Sequence, residues 1–197
     1  METLFSLMLG MSLSAACGFR IFVPMLAMSI AAQSGHLTLA SGFEWIGTPE
    51  AFVAFAVAAI LEVGGYYIPW LDNLLDTIAT PTAIVAGTIV TASAVGEVSP
   101  LVQWTLAVIL GGGAAGVTQG MTDVLRIVST STTGGFANPL LSTMELGTAA
   151  TLSGLAITVP ALAGILVIGL LFFAIQKILK FMQKRRRASS PGPSAGL

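Results

Sequence analysis

The sequence predicts an all-α integral membrane protein. Three observations carry this reading. Of 197 residues, 55% are hydrophobic and only 9% are charged, where a soluble domain carries roughly a quarter charged residues. Mean hydropathy is +0.91. Long apolar stretches recur along the chain, separated by short Gly-, Pro- and Trp-containing breaks. So little charge cannot cover a water-facing surface, and a lipid bilayer is the expected solvent and partner. About 5–6 membrane helices are expected, some of them broken or re-entrant, in one membrane domain over residues 1–176.

Residues Thr3 to Gln33 form the first apolar stretch, longer than the roughly 20 residues that span a bilayer. Gly18 and Pro24 bracket Phe19-Arg20, which predicts a kink or break near Arg20. Residues 34–49 read as a loop, with Trp45 suited to a membrane–water interface and His36, the one histidine, as a solvated side chain. Ala51 to Ile68 is the second span. Glu62 lies inside it, where a carboxylate is costly and should face other helices or water. Tyr66 and Tyr67 close that helix and read as interface aromatics. Asp72 and Asp76, four residues apart, share one helical face. They read either as a water-facing helix end or as a pair that answers an arginine or meets a cation.

The third span is expected from about Ile78 to Val95, with Pro81 in its first turn, where proline is tolerated. The fourth runs from Val102 to roughly Met121. In it Gly112, Gly116 and Gly120 form GxxxGxxxG, a close-packing face that could serve internal packing or a homo-oligomer. Asp123 and Arg126 are spaced to pair along the helix. Leu125 to Pro139, LRIVSTSTTGGFANP, is polar and glycine-bent. Non-helical backbone at membrane depth is tolerated only where protein buries it or a wet cavity lines it. Leu140 to Ala156, carrying Glu145, either crosses or turns back, and Ile157 to Ile175 is the last span.

Charge is distributed unevenly. Six of eight basic residues lie at the end of the chain: Lys177, Lys180, Lys184, Arg185, Arg186 and Arg187. A basic run after the last apolar segment predicts that residues 177–197 are a flexible cytoplasmic tail of a multi-pass protein of the inner (plasma) membrane. No other basic patch exists for nucleic acid. The single cysteine, Cys17, excludes an intrachain disulfide and a cysteine metal cluster. A lipoprotein cleavage site at Cys17 is rejected, because Met1-Glu2 opens a segment with no basic residue and Ser14 stands where a branched apolar side chain is expected.

The order of rare polar residues repeats. A shift of 102 residues places Gly10, Ser14 and Gly18 on Gly112, Gly116 and Gly120. Each small-residue helix is followed by an arginine (Arg20, Arg126), then an intramembrane glutamate (Glu62, Glu145), then a proline opening an apolar run (Pro81, Pro160). Pseudo-repeats over about 3–95 and 102–176 follow, of the kind small transporters use to build polar sites on broken helices.

Two blocks carry a family resemblance. One is SAACGFRIFVPML with IPWLDNLLDTIATP further on; the other is LRIVSTSTTGGFANPLLSTMEL. Together they resemble the bacterial membrane-protein family DUF4126, a domain of unknown function, from about Leu4 to Phe173. The resemblance implies a multi-helix integral membrane protein with no established activity. Gln119 and Thr122 or Asp123 stand where the family pattern carries a His and a Lys, Tyr66-Tyr67 where it carries an Asp-Lys pair, and Leu146 beside Glu145 where an acidic residue is usual.

Functionally the residues point to a transporter- or channel-like protein. The expected polar site comprises Arg20, Glu62, Arg126, Ser129, Thr132, Thr133, Asn138 and Glu145, with Asp72 and Asp76 as a secondary acidic pair. Arginine beside hydroxyls and backbone N–H groups can hold a small anionic solute, and a cavity-facing glutamate can carry a proton or another ion. The alternative is a membrane scaffold whose buried Arg/Glu pairs are structural. No Ser–His–Asp set, HExxH or Gly-rich phosphate loop is present, so no catalytic, cofactor or metal residues are expected.

Overall fold

The computed structural model describes residues 2–96 and 98–188, with the side chains of Glu2, Pro69, Trp70, Asp72, Asn73, Ile178, Leu179 and of residues 181–188 outside the described set. Helix accounts for 84% of the chain, with no strand among the described residues. The helices are α1 (Glu2–Cys17), α2 (Phe22–Gln33), α3 (Pro49–Gly65), α4 (Pro69–Ala94), α5 (Pro100–Leu106), α6 (Gly113–Thr133), α7 (Asn138–Thr158) and α8 (Pro160–Ala188). A 3-10 turn (Glu44–Gly47) precedes α3, and a π-helical turn (Ala107–Gly112) joins α5 to α6.

Four helical stretches are long and apolar enough to cross a membrane: Leu74–Ala94, Pro100–Thr133, Asn138–Thr158 and Pro160–Lys177. The apolar stretch from Thr3 to Gln33 is two shorter helices, with the break near Arg20 where Gly18 and Pro24 predict it. The break at Gly18 to Ile21 reverses the chain. Gly18 sits so close to α6 that a Cβ there would lie 2.5 Å from the Ala115 carbonyl oxygen, so only glycine allows this crossing.

Side-chain contacts give the helix directions. Ser14 Oγ donates to the Gly87 carbonyl at 2.6 Å and meets Thr91 Oγ1 at 2.8 Å, and Gly10 faces Thr91 and Ala94; α1 and α4 are therefore antiparallel. Gly87 meets Gly111, and Ile84 meets Gly116, which sets α4 against α5–α6. Ala32 meets Gly47 while Ile21 and Phe22 meet Glu62, so α2 and α3 form a hairpin. Gly164 packs on Met8, placing the start of α8 beside the start of α1. Hence the turns α1–α2, α3–α4 and α6–α7 share one end with the basic extension of α8.

The core is made of small and medium side chains, among them Leu13, Met28, Val90, Ala115 and Val167, all fully or almost fully buried. Buried hydroxyls lie between the helices but bond to carbonyls: Thr118 to Ala114, Ser93 to Val90 and Ser153 to Ala149. They allow close packing without unpaired polar groups.

Several element boundaries differ from the sequence reading. Pro81 lies in the middle of α4, which already begins at Pro69. There it removes the N–H that would bond the Thr77 carbonyl. The polar stretch Leu125 to Pro139 is mostly helical, since α6 continues to Thr133. Ser131 and Thr132 donate to the Val128 carbonyl and Thr133 to the Ser129 carbonyl, so the hydroxyls that suggested a loop are satisfied within the helix. The bend is confined to Gly134 and Gly135, whose φ values of +64° and +89° favour glycine. The tail reading divides: α8 stays helical to Ala188, and residues 189–197 lie outside the described residues. Of the three glycines in GxxxGxxxG, Gly112 and Gly116 pack against Thr88 and Ile84 of α4, while Gly120 has open space beside it. Two-thirds of that face is thus used inside the chain.

Candidate functional site

Five segments deliver polar side chains to the end of the bundle that carries the helix reversals. The α1–α2 turn contributes Arg20, the last turns of α3 contribute Glu62 and Tyr66, α4 contributes Asp76, α6 contributes Arg126, and α7 contributes Ser142 and Glu145. Arg126 lies seven residues before the end of α6 and Glu145 seven residues after the start of α7. At a rise of 1.5 Å per residue this sets the cluster about 10 Å inside those helix ends.

Glu145 is the hub. Arg126 grips it with two hydrogen bonds, Nε to Oε1 at 3.2 Å and Nη2 to Oε2 at 2.5 Å. Arg20 Nη2 reaches the same Oε2 at 3.1 Å and also donates to the hydroxyl and carbonyl oxygens of Ser142. Arg20 is 1% exposed and Arg126 4%. Both guanidinium groups lie over the ring of Tyr66, whose centroid is 4.0 Å from Arg20 Cζ and 4.4 Å from Arg126 Cζ. Two like charges are held together by a shared carboxylate and a shared aromatic ring, since each guanidinium is attracted to the negative face of the ring. Arg20 Nε and Nη1 have no hydrogen-bond acceptor among the described residues, so the ring, Glu145 and Ser142 hold that cation. Asp76 adds a second negative group, its Oδ1 3.7 Å from Arg126 Nε.

Glu62 is satisfied differently. Its Oε1 accepts from the Ile21 N–H at 2.8 Å and its Oε2 from the Phe22 N–H at 3.0 Å. These are the first free donors of α2, whose N-cap residue offers no side-chain bond. A carboxylate from another helix therefore caps α2, at the end where the helix dipole favours negative charge. Neither arginine forms an ion pair with Glu62 among the described residues.

Beside Arg126 lies a cleft of about 600 Å³ between α4, α6 and the start of α7, lined by Asp76, Thr77, Asp123, Thr130, Ser131 and Asn138 among others. Asp123 does not pair with Arg126 as its spacing suggested. It accepts from Thr80 Oγ1 at 2.9 Å and Gln119 Nε2 at 2.8 Å. Ser129 Oγ donates to Asn138 Oδ1 at 2.8 Å, joining α6 to α7 across the glycine turn. Thr132 and Thr133 lie further along α6, bonded to its own backbone. Of the sequence-predicted residues, Arg20, Arg126 and Glu145 meet directly, Glu62 is one helical turn from Tyr66, and Ser129 with Asn138 forms the adjoining wall. His36 lies far along the chain in the loop after α2, where its Nδ1 meets Ser34 Oγ. Asp72 falls outside the described side chains.

Two members of the cluster were not anticipated. Tyr66 reads as an interface aromatic, yet its position four residues after Glu62 puts it on the same face of α3. Ser142 carries no signal beyond standing three residues before Glu145.

A bundle with four membrane-competent helices and ionised side chains buried between them defines an integral membrane protein with an internal polar cluster. Residues 7–180 match the family model described as a domain of unknown function, DUF4126. The chain belongs to that family, as its two sequence blocks implied. No curated protein and no solved structure matches it.

Proposed function

We propose that the protein is a small, non-catalytic transporter- or channel-like protein of the inner membrane, with a polar intramembrane site for an ion or small solute. The observation that carries the reading is the cleft beside Arg126, which leads from the charged cluster out between α4 and α6. Ionisable groups at membrane depth are costly, and where they occur they generally mark pathways for ions or substrates. The lining favours a cation or proton over an anion: Asp76 and Asp123 supply two negative charges, while the one lining arginine is gripped by Glu145. An anion would have to compete with Glu145 for Arg126.

In this reading α3, α4, α5–α6, α7 and α8 cross the membrane. The α1–α2 hairpin dips in from the opposite face and turns at Arg20, in keeping with its two shorter helices. The basic end of α8 faces the cytoplasm. Both pseudo-repeats then send their arginine to one place, which supports the repeat although the two glutamates are used differently.

A second reading is favoured by one observation. Arg20, Glu145, Arg126 and Tyr66 form a closed, nearly dry knot, as expected of a scaffold that fixes helix arrangement by buried charge. Reconstitution into liposomes separates the two. Wild-type protein should pass protons or a monovalent cation above the leak of empty vesicles, and Asp76→Asn should reduce that flux several-fold. Absence of flux for every cation and anion tried would remove the transport reading. Capture of the same partners with and without residues 177–197 would then show whether the tail contributes to a scaffold.

A further inference from the structure

A second cleft, of about 430 Å³, lies on the other side of Tyr66 between α2, α3 and α4. Beyond the Gly64 to Ile68 turn, where Gly65 packs on Leu71 and Leu75, α3 and α4 touch only sparsely. The walls are apolar: Ile21, Phe22, Leu61, Leu71, Leu75 and Ile78. Leu61 and Ile78 are 67% and 52% exposed on the outside of the bundle, so the cleft opens sideways toward lipid. One ionisable carboxylate, Glu62, lines it, with the Tyr66 ring alongside.

Three features define what fits. Glu62 is buried, and among the described residues its hydrogen bonds come from backbone N–H groups; the Arg20 charge acts on it from beyond contact distance, and no cationic side chain closes an ion pair with it. Its charge is therefore stabilised but not cancelled on the cleft side. The walls offer apolar contact, while the Tyr66 ring is already engaged by Arg20 and Arg126. Access runs through the bilayer region, which favours molecules that partition into lipid. A small inorganic cation would gain nothing from the leucine and isoleucine walls, and an anion would face Glu62.

We propose that the α3–α4 cleft binds a lipophilic organic monocation, with its charge beside Glu62 and its apolar groups against Leu71, Leu75 and Ile78. This site is separate from the Arg126 cleft and does not depend on the transport reading.

The test uses the full chain in nanodiscs and two probes of the same shape and opposite charge, tetraphenylphosphonium and tetraphenylborate. Wild-type protein should bind the cation saturably, above the level of empty nanodiscs, and should not bind the borate saturably. Glu62→Gln should weaken phosphonium binding by about tenfold or more. Ile78→Trp, which fills the cleft and leaves Glu62 in place, should weaken it comparably. Asp76→Asn, in the other cleft, should leave it unchanged. Saturable binding of both probes, or of neither, by the wild type would overturn the proposal. So would undiminished binding by Ile78→Trp, which decides the matter if Glu62→Gln does not fold.

Discussion

Two carboxylates are buried in this chain to almost the same extent, and they are held by opposite means. Glu145 is shared by two guanidinium groups, and both of those groups lie over the Tyr66 ring. Glu62 has no ion pair among the described residues and accepts two backbone N–H groups at the start of α2. The first arrangement ties α1, α3, α6 and α7 into one unit. The second fixes a single local event, the point at which the chain reverses and α2 begins. Burial alone therefore says little about what a charge in a membrane domain is for; its partners decide.

Substitutions can break this contrast. The largest loss is expected for Glu145→Ala, which takes from two buried guanidinium groups the carboxylate they share. Breaking a buried pair by removing one partner costs about 3–5 kcal/mol, enough to lower the unfolding midpoint steeply in a denaturing-detergent titration. Adding Arg20→Ala to that variant should recover part of the loss, because contacting residues are not additive. A double variant as unstable as the sum of its singles would mean that the two side chains act independently.

Glu62→Ala should cost less, on the order of 1–3 kcal/mol for two unmet N–H groups. Glu62→Gln, which keeps an acceptor, should be milder still. If Glu62→Ala proved as damaging as Glu145→Ala in the same titration, the distinction drawn here would fail. Tyr66→Leu removes the ring from both arginines and should cost about 1–2 kcal/mol, with Tyr66→Phe close to wild type. Asp76→Asn is expected to have the smallest effect, below about 1 kcal/mol, because its side chain is 27% exposed and Arg126 keeps its bonds to Glu145. A loss in Asp76→Asn equal to that in Tyr66→Leu would promote Asp76 to a core member of the cluster.

Much of this was legible before any coordinates. Rare charges in apolar surroundings identified Arg20, Glu62, Arg126 and Glu145 as interior groups, because lipid leaves them no other place. Gly18 and Pro24 marked the break that carries Arg20. The pairing was not legible: which arginine meets which glutamate depends on helix packing, and Glu62 turned out to serve a helix N-terminus. The hydroxyl-rich run from Ser129 to Thr133 resembles a loop because such residues are poor helix formers on average. Inside the bundle their hydroxyls bond back to the helix, and tertiary packing overrides the propensity. Pro81 misled for a related reason. Its missing N–H can be accommodated mid-helix beside a polar cleft lined by Thr77.

The wide turn at Ala107–Gly112 has a consequence for everything after it. A π-helical turn takes up one residue more than the α-helical path it replaces, and one residue corresponds to about 100° of rotation about the helix axis. Relaxing this hexapeptide to regular α-helix with every residue kept would swing Arg126 out of reach of Glu145, although the turn lies more than a dozen positions away, whereas deleting one residue as it relaxes would keep the register. The aim of Arg126 is thus set upstream, by a turn that absorbs one extra residue.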